Sequence, residues 1–230
     1  NYASWNFKAN GAGSANTAGS INSTVSVNTT SGFSIVKYIG NDTSGATVGH
    51  GLGVVPKMII VKRLSGSAQH WQVYHISTGN TKSSQLSGSG TPDTSAAYWN
   101  NTSPTNSVFT IGNGSTVNGG GGADSYIAYC FADIQGYSKV SGSIGNANAD
   151  GAFIYTGFSP AFVIIKNIDA GEAWQMFDNK RLSFNQTNGR YSLNPNSNAA
   201  EYQGAPLIDF VSNGFKLRSD TNSLNVAQNY

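Results

Sequence analysis

A short apolar run occurs twice in this chain. Pro56-Lys57-Met58-Ile59-Ile60-Val61-Lys62 returns 104 positions later as Pro160-Ala161-Phe162-Val163-Ile164-Ile165-Lys166. Proline opens each run and lysine closes it. The run is too short for an ordinary helix and rich in β-branched residues, so it reads as a strand buried on both faces. Proline at its first position stands where a strand tolerates a missing N–H.

The match extends well beyond that strand. Gly32-Phe33-Ser34 aligns with Gly136-Tyr137-Ser138, and Gly40-Asn41 with Gly145-Asn146. Downstream, Trp71-Gln72-Val73-Tyr74-His75 aligns with Trp174-Gln175-Met176-Phe177-Asp178, and Ser107-Val108-Phe109-Thr110-Ile111 with Asn213-Gly214-Phe215-Lys216-Leu217. Each copy is domain-sized, which points to a tandem or intertwined pair of related units and not to a short-period solenoid. The expected organisation is an N-terminal strand and polar linker over residues 1–31, one β-rich repeat over 32–135 and a second over 136–230.

The first copy closes with Tyr126-Ile127-Ala128-Tyr129-Cys130-Phe131-Ala132, and the second reaches the matching place at Tyr230. The chain opens with Tyr2-Ala3-Ser4-Trp5-Asn6-Phe7-Lys8-Ala9, which looks like that closing strand with no body before it. These ends suggest a piece of a longer or processed polypeptide. They also suggest that residues 2–9 fill an edge position in the second copy, in the same chain or from a neighbour.

Composition narrows the class. Charged residues make up 10%, against about a quarter in ordinary soluble domains. The 230 residues suffice for two modest cores. A net charge of +2 without a basic stripe gives nucleic-acid binding little support. The single cysteine, Cys130, excludes an internal disulfide framework and reads as a buried thiol. That pattern fits assembly in a reducing cytosol. No apolar run reaches the ~20 residues of a membrane helix.

In chain order, residues 8–31 read as an extended polar linker, apart from the alternation Thr24-Val25-Ser26-Val27, which suits a short strand. Residues 33–38 read as a strand, and residues 40–53 as a glycine-rich loop needing positive φ at several points. Along the strand 70–75, Trp71, Val73 and His75 share one face, expected in the core, while His70, Gln72 and Tyr74 share a wetter one. Residues 184–204 read as an Asn-rich polar stretch. No segment carries sustained helical periodicity. The expected fold is all-β: two related antiparallel β-sandwich-like units arising from an internal duplication, with few or no helices.

Candidate chemistry is sparse. His70 and His75 lie on opposite faces of a strand, and His50 sits in a loop, so no zinc set and no metal site is expected. The eleven carboxylates fall mostly in turns, where Asp bonds its own backbone. Glu172 and Asp178 flank Trp174, the nearest approach to a glycosidase pair. The chain lacks a G-x-S-x-G elbow, and Gly49-His50-Gly51-Leu52-Gly53 precedes a strand where a phosphate loop precedes a helix. No catalytic or cofactor-binding residue is assigned. The residues suited to a sugar, which offers C–H faces to aromatic rings and hydroxyls to amides, are Tyr98, Trp99, Asn100 and Asn101, with His70 and Tyr74. Trp71 and Trp174, being repeated, are expected in the core.

The segments GFSIVKYIGN, VGHGLGVVPKMIIVK, WQVYH, YWNNTSPTNSVFTIG, YIAYCFAD, DGAFIYTGFSPAFVIIK, WQMFDNKR and FVSNGFKLR together resemble a domain of uncharacterised function in tailed-phage virion proteins of the tail-fibre or minor-structural kind. The resemblance spans nearly everything from residue 32 onward. It implies a non-enzymatic virion protein, assembled in the bacterial cytoplasm and exposed on the particle. Its expected partners are itself, as a homotrimer or other homo-oligomer, other virion proteins and a host-surface glycan, without nucleic acid or membrane insertion. Capsid decoration, cement or head-fibre duty is one alternative, and a virion-associated glycan hydrolase another.

Overall fold

The computed structural model describes residues 4–119, 121, 123–181 and 190–230. The expectations for Tyr2, Ala3, Gly120 and Gly122, and for the 184–189 part of the Asn-rich stretch, lie outside those residues. The fold is all-β, with one four-residue helix among the described residues. The chain divides into two compact units, residues 1–83 with 93–134, and residues 84–92 with 135–230.

The first unit carries β1 (Ser14–Asn16), β2 (Ser23–Asn28), β3 (Phe33–Ile39), β4 (Ala46–Gly49), β5 (Met58–Arg63), β6 (Gln72–His75), β7 (Lys82–Gln85, whose last two residues fall in the second unit), β8 (Asp93–Thr94), α1 (Ala96–Trp99), β9 (Val108–Ile111) and β10 (Ser125–Phe131). Eight of them form one sheet in the order β1-β2-β3-β10-β5-β6-β7-β8, and β4 pairs separately with β9. Alternation sets the inner face. Val36 and Tyr38 of β3, Ile59 and Val61 of β5, and Tyr126, Ala128 and Cys130 of β10 point inward and pack on Val48, Phe109, Ile111 and Trp99. Met58 and Ile60 on the other face of β5 are only half-buried, so this strand is fully buried on one side and not on both.

The low-complexity stretch expected as a linker is part of the first unit. Ile21, Ser23 and Val25 alternate inward, and β2 lies between β1 and β3. The Ser23 hydroxyl donates to the Gly49 carbonyl at 3.0 Å. Small residues let this strand lie close to its neighbours while its polar atoms bond to backbone. The glycine-rich loop likewise contains a strand, β4, whose Val48 is in the core.

The second unit carries β11 (Phe153–Tyr155), β12 (Phe162–Ile165), β13 (Gln175–Asp178), β14 (Arg190–Ser192), β15 (Tyr202–Gly204), β16 (Ile208–Val211) and β17 (Gly214–Leu217). They form the antiparallel sets β11-β17-β16, β12-β13 and β14-β15. The core joins Val163, Ile165, Phe177, Phe210, Phe215, Leu217, Leu224 and Tyr230.

Contacts of one unit recur in the other at positions the sequence match relates. Met58 lies opposite His75 across β5–β6, and Phe162 opposite Asp178 across β12–β13. Val48 pairs with Phe109, and Ile154 with Phe215. A buried asparagine locks each unit. Asn118 Oδ1 accepts from the Asn41 N–H at 2.8 Å, and its Nδ2 donates to the Thr43 and Gly112 carbonyls at 2.9 and 2.8 Å. Asn225 Oδ1 accepts from the Asn146 N–H at 3.1 Å, and its Nδ2 donates to Asn146 Oδ1 and the Asn148 carbonyl at 2.8 Å each. Gly40 and Gly145 precede the bracketed residues in the two units, and a Cβ on either would collide with backbone, of Asn118 and Val226 respectively.

Candidate functional site

The proposed sugar-contact residues are dispersed by the fold. Ser95 caps α1 by accepting from the Ala97 N–H, and Asn100 ends it in the left-handed conformation at φ 50°. The Gly112 and Gly114 N–H groups take the Tyr98 and Ala97 carbonyls at 2.8 and 2.9 Å. This tether turns Trp99 inward, where it is 1% exposed and meets Tyr74 edge-on at 5.8 Å. Tyr74 is also 1% exposed. Trp99 and Tyr74 therefore present no ring to a ligand, which corrects the expectation that both contact sugar. Tyr98 and Asn100 are half-buried, and the Asn100 amide oxygen accepts from the Ser44 hydroxyl at 2.9 Å. Asn101 and His70 are exposed.

The two faces of β6 are only partly as expected, for Val73 is buried as the core reading has it but the face expected to be wetter is buried too. Gln72 and Tyr74 are buried against the core side of β5, while Trp71 stays half-exposed, stacked on Tyr129 at 6.3 Å with the Lys62 ammonium over its ring. The wet side of a strand is set by which side its neighbour's core residues take, and Ile59 and Val61 fix that here. Trp174 is buried as expected, and its indole N–H donates to the Gln85 carbonyl at 2.9 Å.

Titratable side chains are spent on the fold. His50 is fully buried, bridging the Thr105 carbonyl at 3.1 Å and the Leu52 N–H at 3.2 Å, and burial lowers its pKa. Burial pulls His75 down to about 4 against the opposing pull of the Asp133 carboxylate. Burial pushes the Cys130 thiol up to about 12, so it is protonated and inert at neutral pH. Asp178 accepts from the Lys180 and Arg181 N–H groups and pairs with the Arg181 guanidinium, which also holds Glu201. Asp178 is thereby a turn anchor, and the Glu172–Asp178 pair is not presented as an acid–base couple. Asp124 pairs with Arg63, Asp133 with Lys57 and Asp150 with Lys216. Among the described residues no group of three or more His, Cys, Asp or Glu side chains could hold a metal.

One backbone position of β12 stands apart, Ile164. In an antiparallel ladder, alternate residues turn both backbone groups to the same neighbour. Met176 exchanges bonds with Leu193 on the far side of β13, so Gln175 and Phe177 face Ile165 and Val163 of β12. Ile164 therefore directs its N–H and C=O to the other edge. Among the described residues no backbone group pairs with it there. The related edge of β5 is taken by β10. At one end of the β12 edge the same pattern begins. The Ile168 N–H donates to the Asn229 carbonyl at 3.0 Å, as the Leu64 N–H donates to the Ser125 carbonyl at 2.8 Å. The Gly145 N–H donates to the Gln228 carbonyl as the Gly40 N–H donates to that of Asp124, and Tyr230 and Ser143 exchange both backbone bonds. Tyr230 thus holds the place of Tyr126. The opening segment has contacts in the first unit. Asn28 Nδ2 donates to the Lys8 carbonyl, the Asn10 N–H donates to Ser26 Oγ, and Phe7 lies 5.6 Å from the rings of Phe33 and Phe131, all in the first unit.

A family model described as "Domain of unknown function (DUF7483)" matches residues 1–230. No curated protein and no solved structure matches the chain.

Proposed function

The chain belongs to the family described as domain of unknown function DUF7483, and from there we propose that it is a non-enzymatic structural module of a bacteriophage virion appendage. Its work in this reading is assembly, with host-surface attachment secondary. The observation that carries the reading is the asparagine lock built into both units. Loops of Asn, Ser, Thr and Gly are commonly mobile. Here they are tied to a buried amide, which holds long polar loops in one place. That suits a scaffold. His50 and the paired carboxylates Asp124 and Asp178 are likewise engaged in holding the fold. Sugar attachment has less support, because the two largest rings proposed for it lie in the core.

The test is particle composition. In a phage whose genome encodes this chain, density-banded particles are expected to contain it at a fixed ratio to the major capsid protein. Deletion is expected to give particles that lack an appendage. Finding the chain only in infected-cell cytoplasm would overturn the proposal. A glycan array probed with the purified chain separates the secondary attachment role from assembly.

A further inference from the structure

We propose that a depression beside β1 and β2 of the first unit binds one N-acetylated sugar of a host-surface glycan. This deepens the attachment half of the reading above and rests on it for its setting. The cavity measures about 150 Å³, and its lining includes Asn10, Ser14, Asn16, Val25, Val27 and Gly51. That is far more than the ~10–15 Å³ a single water needs, so the cavity takes a group of several heavy atoms. All six residues but Gly51 lie in the 8–31 segment. The second copy has only Asp133, Ile134 and Gln135 in the matching place. The cavity therefore belongs to an addition and not to the repeated framework.

Val25 and Val27, which pack on the core, give the cavity an apolar floor. They stay uncovered because Gly51 has no side chain. A Cβ there would stand 3.1 Å from Val25 Cγ1 and 3.6 Å from Val27 Cγ1. Polar groups stand around this floor. Asn16 Oδ1 accepts from the Ala18 N–H at 2.9 Å, which fixes that amide and leaves its Nδ2 hydrogens to donate. The Asn10 N–H donates to Ser26 Oγ at 2.9 Å, so its backbone is held. The Asn10 side-chain amide and the Ser14 hydroxyl have no hydrogen-bond partner among the described residues. No charged side chain lines the cavity. An ionic ligand would lose hydration there with no opposite charge to replace it.

An acetamido group on a sugar ring matches this set. Its methyl suits the valines, its C=O takes a donor such as Asn16 Nδ2, and its N–H takes an acceptor such as the Ser14 hydroxyl or the Asn10 amide oxygen. The ring hydroxyls beside it can use either partner of the same amide. A plain hexose brings no methyl to the valines and gains less from their burial. The Asn16 amide and the Asn10 backbone are already fixed, so binding orders little that is free.

The test uses the full chain with the methyl glycosides of N-acetylglucosamine, N-acetylgalactosamine and glucose. In saturation-transfer NMR the acetyl methyl of at least one N-acetyl sugar is expected to take up the strongest signal, and the glucoside none above background. Asn10→Ala combined with Ser14→Ala removes two hydrogen-bonding groups and is expected to weaken binding about tenfold. Gly51→Asn sets a side chain over both valines and is expected to abolish it. Gly51 has φ 72°, a conformation that asparagine tolerates. Thermal melting checks that each variant is folded. Asn10 and Ser14 are exposed, so the double variant decides the matter even where Gly51→Asn fails to fold. No transfer to any acetyl methyl, equal transfer to the glucoside, or undiminished binding in the double variant overturns the proposal. Particles that contain a chain binding no N-acetyl sugar leave the assembly reading standing while this site fails. A chain that binds the sugar but is absent from particles does the reverse.

Discussion

Replacing Asn118 with alanine removes three hydrogen bonds at once. The Asn41 N–H and the Thr43 and Gly112 carbonyls lose their partner, in a place the side chain fills completely. A net hydrogen bond is worth about 1 kcal/mol, and a buried group left unsatisfied costs about 1–3. Asn118→Ala is therefore expected to cost about 3–4 kcal/mol, a large part of the 5–15 kcal/mol typical of a domain. Asn225→Ala removes an equivalent set from the second unit and is expected to cost about 3 kcal/mol by the same reckoning. Asn118→Asp keeps the acceptor for Asn41 but points a second oxygen at two carbonyls, so at neutral pH it is expected to be no better than alanine. Hydrogen exchange read by mass spectrometry assigns each loss to its unit, and urea unfolding gives its size. Asn118→Ala is expected to raise exchange in residues 33–131, and Asn225→Ala in residues 143–230. A loss below about 1 kcal/mol for either, or uniform loosening of both units by one substitution, would refute the lock.

Acid is expected to weaken the first unit through its histidines. His75 titrates near 4 when folded, against an ordinary 6.5, so the unfolded chain binds the proton first. The stabilisation is complete above pH 6.5 and is lost as pH falls towards 4, by at most about 3 kcal/mol. His50, lowered by burial, contributes with the same sign. Urea midpoints measured from pH 7 to pH 4 are expected to fall less steeply in His75→Gln, and an unchanged slope would contradict the assignment. Trp99→Ala empties a core site beside Tyr74 and is expected to cost about 3–5 kcal/mol. Trp71→Ala, on a half-exposed ring, is expected to cost clearly less, and equal losses in thermal melts would contradict the burial argument.

What was legible in the sequence follows from periodicity. The repeated apolar run became β5 and β12, and the following Trp-Gln runs gave β6 and β13 in matching register. Three things were hidden. The polar opening contributes β1, whose Ser-Ala-Asn carries no apolar alternation, and its β2, legible at Thr24-Val25-Ser26-Val27, joins the sheet of the first unit where a linker was expected around it. The orientation of β6 depends on β5, so alternation alone allowed Tyr74 either face. The Asn118 and Asn225 locks are ordinary residues in an asparagine-rich chain. The available signal was Val117-Asn118 against Leu224-Asn225, an apolar residue followed by asparagine near the end of each copy. Its spacing of 107 differs from the 104 of the central strands, and that drift concealed it.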